Sequence, residues 1–178
     1  MKYLLRTERL GLRNWRDTDE APFAKLCADK SVMEFFPSTL SRQQSDTLID
    51  RFKQHFRDHG FSYFAVDRLD TDEFIGFIGI MHQNYPSHFT PCVDIGWRLK
   101  PSAWGYGFAT EGAKACIRYG FDVLKLPEIY SVAPNSNLKS QGVMKKLGMH
   151  LHSTFEHPKL SDSDGLNPCV VYQIKNTL

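Results

Sequence analysis

The spacing of hydrophobic and polar residues changes several times along the chain, and each change marks an element. Strict alternation runs through Val93-Asp94-Ile95-Gly96-Trp97-Arg98-Leu99. It puts Val93, Ile95, Trp97 and Leu99 on one face and Asp94, Gly96 and Arg98 on the other, which is a strand ended by Pro101. Six more stretches read as strands: Leu4 to Arg13, Phe61 to Asp67, Phe74 to Met81, Glu128 to Ala133, His150 to Phe155 and Cys169 to Ile174. Asp70-Thr71-Asp72 reads as a hairpin loop. Helical spacing is predicted from Asp17 or Thr18 to about Asp29. It returns from Ser41 to Gly60, where Leu48, Ile49, Phe52 and Phe56 keep register. A third helix runs from about Gly107 to Leu124, with Ala109, Ala113, Cys116, Ile117, Gly120 and Leu124 on one stripe. A fourth starts at an Asn137 cap, continues through Leu147 and stops at Gly148. The predicted order is strand, two helices, three strands, helix, strand, helix, two strands. That is mixed α/β (α+β), a single domain over 1–178 built on one central sheet of about seven strands and four helices.

Composition narrows the setting. A chain of 178 residues fits one domain and buries a core without staples. Lys and Arg number 22 against 20 Asp and Glu, and a net charge of +2 gives no reason to expect bulk nucleic acid or an anionic membrane. The short cluster Lys139, Lys145 and Lys146 stands without an RNA-binding motif. Cys27, Cys92, Cys116 and Cys169 are scattered, which suits a reducing compartment better than a zinc site or disulfides. Met1 to Arg6 meets charge before any apolar run, so it does not read as a signal peptide. The longest nearly pure apolar run, Phe74 to Met81, is far short of the ~20 residues of a membrane helix. The expectation is a soluble, cytoplasmic monomer or homodimer without nucleic-acid or membrane partners.

Three groups of residues can carry chemistry. Trp104-Gly105-Tyr106-Gly107-Phe108-Ala109-Thr110 lies between a strand and a helix start. Its glycines admit a ligand to the backbone, and N–H groups at a helix N-terminus bind phosphate. The other reading is a glycine-rich turn with no ligand. A dinucleotide fingerprint needs Gly where Thr110 stands, and a P-loop needs Gly-Lys-Ser/Thr, which is absent. Ser140, Val143, Met144 and Leu147 follow i, i+3, i+4, i+7, so a hydroxyl lies on an apolar inward stripe. It either faces a site or bonds back to its own helix. Asp94 falls mid-strand, where a carboxylate is costly unless paired or functional. It is either an ion pair with Arg98 on the same face or a working group. The histidines form no HExxH. His55 and His59 lie at i, i+4 with no third ligand nearby in sequence, so surface histidines and no metal are expected.

The segment Asp94 to Ala113, DIGWRLKPSAWGYGFATEGA, resembles the fourth strand, acetyl-CoA loop and following helix of the GNAT acetyltransferases. The likeness is greatest to the branch of ribosomal-protein N-terminal acetyltransferases, the Rim type. Val132 to Met149, VAPNSNLKSQGVMKKLGM, resembles the same branch's later N-x-x-S…M-x-K-L-G-[MF] segment. Thr7 to Arg13 resembles its opening strand, and Phe155 to Pro158 a loop found there. Three positions depart from the general pattern. Trp104 replaces the Arg or Gln that opens the loop, as is usual in this branch. Met144 stands where many relatives have a Tyr acid. Asp94 replaces a Glu.

The resemblance implies a GNAT fold with the sheet splayed after the Asp94 strand. It also implies acetyl transfer from acetyl-CoA to a primary amine, with no metal. The pyrophosphate would lie on the N–H groups of Gly105, Tyr106, Gly107, Phe108, Ala109 and Thr110, beside Trp104. Pantetheine would run along Trp97, Arg98 and Leu99, and an Arg98 or Leu99 N–H would hold the oxyanion. Asn137, Ser140 and Met144 complete the cofactor set. Ser140 would donate to the departing thiolate, and Asp94 would orient or deprotonate the amine through water. An α-amine, with a pKa of ~7.7–8.0, suits such a base better than lysine, which is neutral about one time in 2,500 at pH 7. The acceptor is therefore expected to be the α-amine of a protein or peptide, or a small-molecule amine of low pKa. Trp15, Phe35, Phe36 and the loop from Ser161 to Pro168 are the expected acceptor pocket. Loss of the Tyr also fits a GNAT-fold protein that binds acyl-CoA without catalysis.

Overall fold

A computed structural model describes residues 3–160, 163 and 165–177. The strands are β1 (Leu5–Arg6), β2 (Leu10–Arg13), β3 (Tyr63–Arg68), β4 (Phe74–Gln83), β5 (Cys92–Leu99), β6 (Glu128–Pro134), β7 (His150–Phe155) and β8 (Cys169–Lys175). The helices are α1 (Glu20–Ala28), α2 (Arg42–His59), α3 (Phe108–Asp122) and α4 (Leu138–Lys146). The strands form one sheet in the order β1-β2-β3-β4-β5-β6-β8-β7, antiparallel except between β5 and β6. The predicted first strand is divided by a tight turn at Thr7 to Arg9, and this division raises the count to eight.

The elements end where local chemistry ends them. The Ser41 side chain accepts from Gln44 N–H, and the Gln44 side chain accepts from Ser41 N–H, a reciprocal cap that starts α2. Asn137 caps α4 by accepting from Ser140 N–H at 3.0 Å. The predicted Asp17 or Thr18 cap on α1 is replaced by a short 3₁₀ turn over Asp17–Asp19. The Asp19 carboxylate is instead engaged by Arg13 and by Arg16 N–H.

Two cores lie on opposite faces of the sheet. Leu10, Ile78, Ile80, Ile95 and Ile129 pack under α3 and α4, with Cys116 and Met144 from those helices. Trp15, Phe23, Phe52, Ala65, Phe77 and Met81 pack under α1 and α2. The alternation of β5 therefore divides its side chains between two chambers: Ile95 and Leu99 join the α3 core, and Asp94 and Arg98 face the α1–α2 side. Among the described residues no helix is long and apolar enough to cross a membrane.

Candidate active site

The sheet opens between β5 and β6. Asp94 and Tyr130 are paired in register, and Ser131 Oγ donates to the Ile95 carbonyl at 3.1 Å. Beyond that point the described strands carry no further register pair, and a cavity of about 890 Å³ fills the gap. Pairing with β4 decides which backbone groups face it. Alternate residues of an antiparallel ladder bond their partner. Lys100 N–H donates to Ile75 O, so Arg98 N–H faces β4 and Leu99 N–H faces the gap. Of the two oxyanion donors suggested by the resemblance, the register therefore favours Leu99.

One wall is the loop before α3. Gly105 and Gly107 hold φ of +82° and +81°, the left-handed region that favours glycine. Their turn leaves the N–H groups from Gly105 to Thr110 without an acceptor among the described residues; the first helical bond is Glu111 N–H to Gly107 O at 3.0 Å. These groups and the helix dipole form a cradle for an anion. The loop is held from outside. Arg9 donates to Glu111 through Nε at 2.7 Å and to the Tyr106 carbonyl at 3.0 Å, and Thr7 Oγ1 donates to Glu111 at 2.6 Å. Burial alone would raise the Glu111 pKa, but these bonds outweigh it and lower it. The turn that divides β1 from β2 is therefore the support of this loop. Trp104 Nε1 donates to the Leu99 carbonyl at 2.7 Å, and Lys139 Nζ sits 5.2 Å from the Trp104 ring centroid. Lys139 and Lys146 both line the cavity, which adds positive charge for an anionic ligand.

Asn137, Ser140 and Met144 bring α4 against the same cavity. Ser140 is partly buried, and no described residue bonds its hydroxyl. Tyr106 is the one member of the expected cofactor set that does not line the cavity; the residue is 62% exposed and its ring stacks on Phe108.

The other end of the cavity holds Asp94. Its carboxylate accepts from Tyr63 Oη at 2.6 Å and from Gln83 Nε2 at 3.1 Å. The ion pair with Arg98 is not formed: Arg98 Nη1 lies 3.3 Å from Cys27 Sγ instead. Burial pushes the Asp94 pKa up to about 6, while the Tyr63 and Gln83 bonds and the charge of Arg51 restrain it. Burial and the Asp94 charge push Tyr63 well above the usual phenol value, so Tyr63 stays a donor at neutral pH. The result is a carboxylate poised to take a proton near neutrality. Tyr63, Gln83 and Arg51 gave no signal in the sequence; the pairing of β3, β4 and β5 brings in Tyr63 and Gln83, and α2 supplies Arg51.

Phe35 and Phe36 line the α1–α2 end. Trp15 does not. It is buried, donates through Nε1 to Tyr63 O at 2.8 Å, and packs against Phe23 and Phe52, so it supports the strand that carries Tyr63. Of the expected loop, Ser161, Asp162 and Asp164 lie outside the described residues, while Leu166 is buried and Asn167 bonds His157. His157, Lys159 and Leu160, just before that loop, line the cavity.

His55 and His59 have no third neighbour in sequence, but the fold supplies His82, and the three offer ring nitrogens within 4.8 Å of one another. His55 is already engaged at both nitrogens, at Nδ1 by the Phe61 carbonyl and at Nε2 by His82 N–H.

The acetyltransferase (GNAT) domain profile matches residues 9–150. The uncharacterized N-acetyltransferase YoaA of Bacillus subtilis is 31% identical over 147 residues, 82% of this chain and 81% of its own. A Bacillus anthracis GNAT-family acetyltransferase superposes with a TM-score of 0.80 at 23% identity, covering 97% of this chain and 98% of its own. The Vibrio cholerae spermidine N-acetyltransferase, solved with CoA and spermine, superposes with a TM-score of 0.75 at 19% identity, covering 96% and 97%. At these identities the two structures show a shared fold, and a shared fold does not name an acceptor.

Proposed function

The chain belongs to the GNAT acetyltransferase family, whose members draw the acetyl group from acetyl-CoA, and from that premise we infer that it acetylates an α-amine, with Asp94 as base and Ser140 as acid. The reading rests on a single cavity with an anion cradle of unclaimed N–H groups at one end and, at the other, the buried Asp94 carboxylate held by Tyr63 and Gln83.

The cofactor's pyrophosphate rests on the 105–110 backbone, beside Lys139 and Lys146. Its pantetheine takes the place of a missing strand along the open edge of β5, where the thioester carbonyl meets the Leu99 N–H. The amine enters from the α1–α2 side as an ammonium and gives one proton to Asp94 through water. Its lone pair attacks the carbonyl carbon, a C–N bond forms, and the oxygen becomes an oxyanion held by Leu99 N–H. One such donor is worth ~2.7–4 kcal/mol. The C–S bond then breaks and the thiolate takes a proton from the Ser140 hydroxyl; the excess proton on the acetylated nitrogen and the one held by Asp94 pass to solvent, from which Ser140 recovers its own. The products are an N-acetyl amine and CoA. CoA's thiol has a pKa near ~8.5 by analogy with cysteine, so the thiolate leaves without great need of an acid, which suits a serine where relatives have tyrosine.

An acetyl-CoA thiol-release assay across peptides with different N-termini, free amino acids and polyamines tests this. Amine-dependent release with α-amines ahead of lysine-like amines is the expected result. Tight CoA binding with no release for any amine would make the protein an acyl-CoA binder instead.

A further inference from the structure

We propose that the acceptor carries a carboxylate and that Arg98 binds it, which makes the α1–α2 end of the cavity a site for amino-acid-like amines. The inference rests on the acetyl-transfer reading and names its substrate class.

Arg98 is only 8% exposed, yet it has no carboxylate partner among the described residues. A buried charge ordinarily has one. Its one hydrogen bond is from Nη1 to Cys27 Sγ, a weak acceptor, and Nε is buried with no partner at all. The guanidinium lies 4.1 Å from the Phe36 ring centroid and 5.4 Å from that of Phe77, so its surroundings are aromatic and desolvating. Such faces attract a cation but do not neutralise it. Phe36, Phe77 and Arg98 all line the cavity, and a carboxylate entering there would supply the missing acceptor in the planar geometry that suits a guanidinium.

Position along β5 fits one molecule to both groups. Asp94 and Arg98 share a face four residues apart, roughly 13 Å between Cα atoms at ~3.4 Å per residue. Both side chains leave the same face of the strand, so one molecule lying along β5 can meet Asp94 with its amine, through water, and Arg98 with a carboxylate several bonds away. Charge agrees. Around Asp94 and Arg98 the cavity wall also carries Arg51 and Glu34, so its charges balance, a poor site for a polyamine.

The test compares free α-amino acids with their α-carboxamides and with spermidine in the thiol-release assay. In the wild type the free acids should lead their amides in kcat/KM by at least about 30-fold, the scale of a buried charge pair broken on one side. In Arg98→Gln the lead should collapse, mainly through KM for the acids. Equal use of acids and amides by the wild type, or a lead that survives Arg98→Gln, overturns the proposal and leaves acetyl transfer standing. If no amine gives thiol release, the transfer reading fails, and a binding arm still decides Arg98. N-acetyl amino acids, but not their carboxamides, should raise the melting temperature of the wild-type CoA complex and not that of Arg98→Gln. No such rise in the wild type overturns the proposal.

Discussion

Arg13 and Arg98 are both buried, at 4% and 8% exposure, on opposite terms. Arg13 binds two carboxylates: Nε and Nη2 reach Asp67, each at 2.7 Å, and Nη1 and Nη2 reach Asp19 at 2.6 and 2.9 Å. Burial pulls its pKa down, and the bonds and charges of Asp19 and Asp67 more than reverse that, so its charge is fixed. Arg98 feels the same pull with only Cys27 and Tyr63 to offset it, and its pKa falls below the usual arginine value. The first arginine ties β2 and β3 to the turn before α1 and lies away from the cavity. The second lies on the cavity wall. A buried charge whose partners all come from the chain belongs to the fold, whereas one left without a partner at a cavity marks where a ligand completes the set.

Substitutions separate the two arginines. The largest effect should come from Arg13→Met, which strands two carboxylates in the interior. Losing one side of a buried ion pair costs about 3–5 kcal/mol, so thermal unfolding should shift down by roughly 6–20 °C. Asp94→Asn should come next, with the opposite sign. The folded-state pKa of about 6 is above the ordinary 3.8, so between these values the folded protein holds more protons than the unfolded chain. Stability attributable to Asp94 therefore falls as pH rises through that window. The amide should raise stability at pH 8 by no more than about 3 kcal/mol and leave it unchanged at pH 4, read from urea titrations at both pH values. Gly107→Val tests the backbone version of the same contrast. Acetyl-CoA at ~100 times its Kd should stabilise the wild type by about 2.7 kcal/mol, and the branched residue at a positive φ beside the cradle should abolish that increment. A normal increment would move the pyrophosphate elsewhere. Arg98→Met should have the smallest effect, within about 1 kcal/mol of the wild type or slightly stabilising, because an apolar side chain replaces an uncompensated charge. A loss as large as that of Arg13→Met would put both arginines in the fold and end the contrast.

Periodic and local features were readable in the sequence, and pairings across the chain were not. The alternation of residues 93–99 placed Asp94 and Arg98 on one face, and the caps at Ser41 and Asn137 and the paired glycines at 105 and 107 stand where local chemistry requires them. The partners of Asp94 lie 31 and 11 residues away, at Tyr63 and Gln83, and only strand register brings them together. The break at Thr7 to Arg9 was invisible for the same reason, since its purpose is Glu111, more than 100 residues on. The Asp94–Arg98 ion pair that the shared face allowed is not formed, because Arg98 turns to Cys27 and two aromatic rings while Tyr63 and Gln83 take the carboxylate.

If Asp94 takes the amine's proton during acetyl transfer, a pH–rate profile of wild type and Asp94→Asn shows it. Wild-type kcat/KM should rise through about pH 6 as Asp94 ionises. Asp94→Asn should lose the lower limb and fall by about 10²–10⁴-fold near pH 7, with the deficit shrinking as the amine becomes neutral unaided. Ser140→Ala, run beside it, should show a smaller loss that varies little with pH. Wild-type rates for Asp94→Asn at every pH would contradict the account and reduce Asp94 to a structural partner of Tyr63 and Gln83.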